Sequence, residues 1–226
     1  MLSKSLLQFL TDLKENNYKE WFHENKPTYQ KVKKEFEQFI AHVIAEIAQF
    51  DKSVVNLDPK QCIFRINRDV RFSNDKSPYK TNFGGFIVPG GKKAGNAGYY
   101  VHIEPENCFL AGGIYMPAPD KLKAVRTEIF ENADDFKKII NNKNFKGTFK
   151  ELLSDGKLKT APKGFPKDFE DIDLLRYKHY IVSKNISEKV ITSDKFADEI
   201  YKTFKTLYPF NSFINEAINY QLSINE

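Results

Sequence analysis

Across residues 27–50 the apolar side chains Tyr29, Val32, Phe36, Phe39, Ile40, Val43, Ile44, Ile47 and Phe50 recur every three or four positions. That spacing lays a single apolar stripe along an α-helix. Pro27 suits the first turn, where a missing N–H costs nothing. Lys31, Lys33, Lys34, Glu35 and Glu37 lie off the stripe and predict a solvated face. Residues 5–13 predict a shorter helix with Leu6, Phe9, Leu10 and Leu13 on one side and Asn16-Asn17 as its stop.

The middle third changes period. Residues 63–72, 82–88, 98–104 and 108–116 alternate or run apolar, with β-branched and aromatic side chains. The link Glu104-Pro-Glu-Asn107 is short enough to join the last two as an antiparallel hairpin. Helical spacing returns after Pro119 with Leu122, Val125, Ile129 and Phe130, then Phe136, Ile139 and Ile140. Residues 157–173 read as irregular and 177–182 as one more strand. A helix from about Ser193 carries Phe196, Ile200, Phe204 and Leu207. Pro209 is expected to break it before a last helix with Phe213, Ile214, Ala217 and Ile218. Helix, sheet, helix in that order predicts an α+β fold, a central mainly antiparallel sheet flanked by amphipathic helices at both termini. The expectation is one domain over 1–226: N-terminal helices 5–50, a sheet core at about 62–116, and helices with an irregular segment over 119–226.

Aromatics make up 14% of the 226 residues, which is a core-forming composition and not a disordered one. No apolar run approaches the roughly 20 residues a membrane span needs. No small-residue cleavage site follows the apolar stretch near Leu10, so no secretory leader is expected. Cys62 and Cys108 sit in apolar runs and read as two reduced, buried thiols, which points to the cytoplasm.

Three of the five arginines fall at Arg65, Arg68 and Arg71, while lysine serves as the cation nearly everywhere else. Arginine is the planar fork that grips phosphate or carboxylate with two parallel hydrogen bonds. Residues 60–93 carry eight cations and two carboxylates, a surplus of six in a chain whose net charge is +5. The basic character is therefore local. As a strand, 63–72 would place Arg65, Asn67, Asp69 and Arg71 on one face and Phe64, Ile66, Val70 and Phe72 on the other, with Arg68 the exception. Asp69 would orient the arginines. The turn stiffened by Pro78 adds Lys76, Tyr79, Lys80 and Thr81. This reads first as a site for a phosphorylated or carboxylated small molecule, formed by Arg65, Arg68, Asp69, Arg71, Lys76, Tyr79 and Lys80. The second reading is a nucleic-acid-binding module, because Phe64, Phe72 and Tyr79 interleave with the cations. The third is a structural or interaction protein, a scaffold whose basic turn meets an acidic partner or is simply held by an internal ion-pair network that fixes the loop.

His102 and Glu104 share a strand face with Tyr100. The pair reads as an acid/base couple or as two metal ligands, against the commoner case of a satisfied histidine beside a surface glutamate. No Cys/His zinc spacing is present, and no cofactor or metal is expected. Gly84-Gly85 and Gly112-Gly113 inside strands require something to approach the backbone closely, packing being the first explanation. Pro89-Gly-Gly-Lys-Lys93 is not a phosphate loop, since no Ser or Thr follows a Gly-Lys. Trp21 reads as an anchor at a helix corner.

Several of these segments together resemble one family. They are Asn16-Asn17 with Trp21-Phe22, Asn25-Lys26 and Tyr29; the run Arg68-Asp-Val-Arg71-Phe-Ser-Asn-Asp75-Lys-Ser-Pro-Tyr79-Lys-Thr-Asn82; Gly112-Gly-Ile-Tyr-Met-Pro117; and Ala161-Pro-Lys-Gly-Phe165. The chain resembles the domain of unknown function 2461, a conserved-hypothetical family of bacterial and fungal proteins, over nearly its full length. The resemblance implies a single intracellular domain and carries no catalytic residues with it.

Overall fold

The computed structural model describes residues 1–224 and contains ten α-helices and four strands. In chain order these are α1 (Lys4–Glu15), α2 (Lys19–Glu24), α3 (Lys26–Ile47), α4 (Pro59–Cys62), β1 (Phe83–Ile87), β2 (Gly98–Ile103), β3 (Phe109–Ile114), α5 (Pro119–Glu131), α6 (Ala133–Ile140), α7 (Lys143–Phe149), α8 (Ile172–Leu175), β4 (Tyr180–Asn185), α9 (Glu188–Ile191) and α10 (Lys195–Ile224). The strands form one antiparallel sheet in the order β1-β2-β3-β4, so the fold is α+β as the changing period predicts. Among the described residues no helix is long and apolar enough to cross a membrane. The residues group into two compact units; the first takes 1–87, 100–110 and 185–202, and the second takes the rest.

In the first unit, α1 and α3 bury the stripes that their spacing dictates. Leu6, Phe9, Leu10 and Leu13 are buried from α1, and Val32, Phe36, Phe39, Ile40, Val43, Ile44 and Ile47 from α3. Each such side chain contributes roughly 1.5–3 kcal/mol. Ser3 caps α1 through its hydroxyl, which accepts from the Leu6 amide at 3.3 Å. Glu35 on α3 in turn accepts from the Ser3 amide at 2.6 Å and hydroxyl at 2.7 Å. Gly85 of β1 explains itself here: a Cβ would meet Ile40 Cδ1 at 2.5 Å. Phe83 packs on Phe36 at 5.2 Å from that same side of β1. Trp21 on the short α2 lies 5.9 Å from the Phe9 ring, beside the turn into α3.

Residues 63–72 are not a strand. They make two isolated bridges, Ile63 to Gly85 and Asn67 to Tyr79, and are otherwise irregular. Two physical features defeat the ladder. Pro78 has no N–H to donate. Asp69 and Asp75 take up the amides of Arg71 and Ser77 locally, offering the backbone an alternative to pairing. The expected apolar face therefore dissolves: Ile66 is 4% exposed, but Phe64 is 40% and Phe72 is 96% exposed.

In the second unit, α10 runs through Pro209 without a break. An interior proline costs a helix about 3 kcal/mol. Phe204 and Leu207 before it, and Phe210, Ile214 and Ile218 after it, are all buried, which outweighs that cost. Asn211 and Asn215 anchor the far half, donating to the carbonyls of Gly98 and Ala97 at 3.0 Å each. The paired glycines of β3 answer to packing. A Cβ on Gly112 would collide with Leu207 of α10, and one on Gly113, at φ +108°, with the Tyr180 carbonyl of β4.

Candidate functional site

The basic segment folds back on itself as an irregular hairpin. Phe64 N donates to Gly84 O at 2.9 Å, Lys80 N to Ile66 O at 2.8 Å, and Arg68 N to Pro78 O at 2.9 Å. Beyond that last bond the chain opens into a loop over residues 69–77, and the loop holds its own shape. Asp75 accepts from the Ser77 amide at 2.9 Å and hydroxyl at 2.6 Å and pairs closely with Arg68. Those Ser77 bonds first, and then Arg68, hold the Asp75 carboxyl far below the usual carboxylate range. Lys76 Nζ donates to Val70 O at 3.0 Å. Arg71 sets its fork on Asp69 at 2.9 and 2.7 Å, which lowers the Asp69 pKa.

At the base of this loop lies an open cleft of about 420 Å³. Arg68, Asp75 and Ser77 form one wall and Tyr79, Lys80, Thr81 and Asn82 another; Lys14 and Asn17 come from the end of α1 and the turn after it. Three cations thus face a single carboxylate, and that carboxylate is already held by Arg68 and Ser77. Lys14 makes one loose pair, 3.9 Å from Glu106, with both side chains more than half exposed. Of the seven residues singled out in the sequence, Arg68, Tyr79 and Lys80 line the cleft. Arg65, Asp69, Arg71 and Lys76 do not. The Tyr79 ring is 6% exposed and stacks on Phe22 at 3.9 Å, so it serves as a floor and not as a side chain reaching outward.

Next to Thr81 and Asn82, Tyr100 and His102 of β2 and Glu104 just beyond its end build a polar chain. Tyr100 Oη lies 3.0 Å from His102 Nδ1, and His102 Nε2 lies 3.2 Å from Glu104. Thr81 Oγ1 donates to Glu104 at 2.7 Å, Asn107 Nδ2 to Glu104 at 3.0 Å, and Asn82 Nδ2 sits 3.3 Å from His102 Nδ1. Burial pushes the imidazole below its usual value against the pull of Glu104, so it is neutral near pH 7. A carboxylate only accepts, so Nε2 carries the proton and Nδ1 receives the phenol hydrogen. Burial, reinforced by Glu104, pushes the Tyr100 phenol up to about 12. Burial also opposes the Glu104 charge, but the bonds from Thr81, Asn107 and His102 outweigh it and lower that pKa. His102 is further fixed by stacking on Phe109 at 4.5 Å. Among the described residues no group of three His, Cys, Asp or Glu is placed to hold a metal ion.

Sequence reasoning missed Lys14 and the role of Asn17. Asn17 was legible only as a helix stop, and Lys14 only as one lysine among thirty. Both enter the cleft because α1 ends beside a loop more than fifty residues further along the chain.

The family described as Conserved hypothetical protein (DUF2461) matches residues 5–213. The chain belongs to the DUF2461 family. The matched span takes in every residue lining the cleft and the whole Tyr100–His102–Glu104 chain of this DUF2461 protein. Neither the curated proteins nor the solved structures contain a match.

Proposed function

We propose that the cleft binds a small phosphorylated or carboxylated ligand. The observation that carries this reading is the imbalance of charge: Lys14, Arg68 and Lys80 face one open space whose carboxylate, Asp75, is already hydrogen-bonded. Asn17, Ser77, Thr81 and Asn82 surround it with amides and hydroxyls of the kind that fix a ligand's orientation. Arg71 and Lys76 act at a distance, shaping the loop that carries Arg68 and Ser77. The two free thiols, Cys62 and Cys108, are buried, and burial holds Cys108 up to about 11, which suits a protein of the reducing cytoplasm.

Titrating inorganic phosphate against the labelled protein tests this by NMR. The backbone amides of Ser77, Thr81 and Asn82 are expected to shift together, with an affinity of about 1 mM or tighter. Lys14→Gln and Lys80→Gln should each weaken that response. Amides that stay still, or shift equally in both variants, remove the reading.

The ion-pair reading keeps two observations in its favour, the Arg68–Asp75 and Arg71–Asp69 pairs that brace the loop. The two roles separate experimentally through Asp75, as set out in the Discussion.

A further inference from the structure

One face of the sheet in the first unit is buried and the other is only half-covered. Phe83, Val101 and Ile103 are buried, with Phe83 and Gly85 packed against α3. On the opposite face strand alternation gathers Gly84 and Phe86 of β1, Tyr100 and His102 of β2, and Phe109 of β3. Phe64 lies alongside, with Tyr100 edge-on at 6.2 Å. Gly84 is required here, because a Cβ would meet the Tyr100 hydroxyl at 2.7 Å and Phe64 at 3.3 Å. None of the rings Phe64, Phe86, Tyr100 and Phe109 is buried. An antiparallel sheet normally turns small or polar side chains to water. Phe64, Tyr100 and Phe109 adjoin one another in a row, a partly exposed aromatic patch of the kind that marks a binding surface.

The chemistry beside the rings names the partner. Lys80 Nζ lies 5.4 Å from the Phe64 centroid, and Arg65 is the neighbouring residue. On the adjoining loop Arg71 lies 5.8 Å from the Phe72 centroid, and that ring stands almost wholly in solvent. Ring and cation therefore alternate, as base and phosphate alternate along a polynucleotide. Glu104 is the carboxylate on the face, and Thr81, Asn107 and His102 hold its oxygens. Asp69 pairs with Arg71 without covering Phe72.

We propose that this face binds single-stranded nucleic acid, with bases stacked first on the exposed rings of Phe64 and Phe72 and phosphates met by Arg65 and Lys80. The strand must be single because a duplex hides its base faces from side chains. The loop over residues 69–77 is already braced by its own bonds, so little order has to be acquired on binding. Tyr79, which its spacing in the chain would have made a stacking residue, is instead the buried partner of Phe22 and takes no part.

This inference does not rest on the cleft: a strand can cross the rings with the cleft empty. The test is fluorescence anisotropy with a labelled oligothymidylate of about 12 nucleotides, the matching duplex as control. Affinity for the single strand should exceed that for the duplex by about tenfold or more and fall as salt rises from about 50 to about 200 mM. Phe64→Ala and Phe72→Ala sit in exposed positions that leave the core intact, and each should weaken binding roughly 5- to 100-fold, as loss of a stacked base does. Lys14→Gln should weaken the phosphate response and keep the oligonucleotide, which separates failure of the cleft from failure of the face. Three results overturn the proposal: no binding at low salt; equal binding of single strand and duplex with no effect of Phe64→Ala or Phe72→Ala; or binding to phosphatidylserine vesicles without binding to the oligonucleotide.

Discussion

The side-chain amide of Asn17 pairs with both backbone groups of Tyr79: Nδ2 donates to Tyr79 O at 3.0 Å, and Tyr79 N donates to Oδ1 at 3.1 Å. The bonds on either side, Lys80 to Ile66 and Arg68 to Pro78, leave the N–H and C=O of Tyr79 pointing away from the hairpin's other arm. Asn17 supplies the two contacts that a further strand would have supplied. It thereby sets the height of the cleft floor, where Tyr79 stacks on Phe22.

Asn17→Ala leaves both Tyr79 backbone groups without a protein partner. It should cost roughly 1–3 kcal/mol, a fall in Tm of about 3–10 °C for a chain of this size. Asn17→Asp keeps the acceptor, loses the donor and sets a carboxylate against the Tyr79 carbonyl, so it should be no better than alanine. A thermal melt of either variant that overlays the parent would mean the pairing contributes nothing.

Asp75 separates ligand binding from loop locking. In the cleft reading, Asp75→Asn removes the cleft's carboxylate and releases the Arg68 fork, so phosphate should bind several-fold more tightly. In the locking reading the same change loosens residues 69–77, seen as faster hydrogen exchange at Ser77, and phosphate affinity does not rise. Isothermal titration and exchange on one variant decide between them.

His102 sets a pH dependence. Its folded pKa lies below the unfolded value near 6.5, so the unfolded chain binds the extra proton first. The stability it contributes is complete above pH 6.5 and is lost as pH falls from there through the folded value. His102→Gln should flatten that part of the stability profile. Glu104→Gln removes the group that favours the imidazolium, so the His102 titration followed by NMR should move lower still. An upward move would contradict the assignment of burial as the dominant cause.

Two glycines should respond oppositely to alanine. Gly113 combines φ +108° with a Cβ position that collides with the Tyr180 carbonyl, so Gly113→Ala should cost about 4 kcal/mol or more and yield little folded protein. Gly147 in α7 has open space around its Cβ position, so Gly147→Ala should stabilise by about 0.5–1 kcal/mol. Chemical denaturation of the second variant and soluble yield of the first are the readouts.

The candidate site was legible in part. Arginine usage pointed to the segment that supplies most of the cleft lining, because a fork on the chain marks an ion pair or an anion whichever way the backbone runs. Strand alternation placed Tyr100, His102 and Glu104 together. The path of residues 63–72 was not legible, since Pro78 and the two aspartates redirected a segment whose apolar pattern alone suits a strand. That redirection turned Arg71 and Lys76 toward their own loop and left Phe64 and Phe72 in solvent.

The sequence by itself determined the elements whose stabilising contacts repeat at a fixed interval: α1, α3, α5 and the strands β1, β2 and β3. Periodicity is a local property, and burial of one face is all it requires. Tertiary structure decided what depends on distant partners. It brought Lys14 and Asn17 to a loop far along the chain, carried α10 through Pro209 on the strength of buried neighbours at either side, and left one sheet face only half-covered. Those outcomes come from competition between surfaces that meet only after folding, and no spacing within a single segment encodes them.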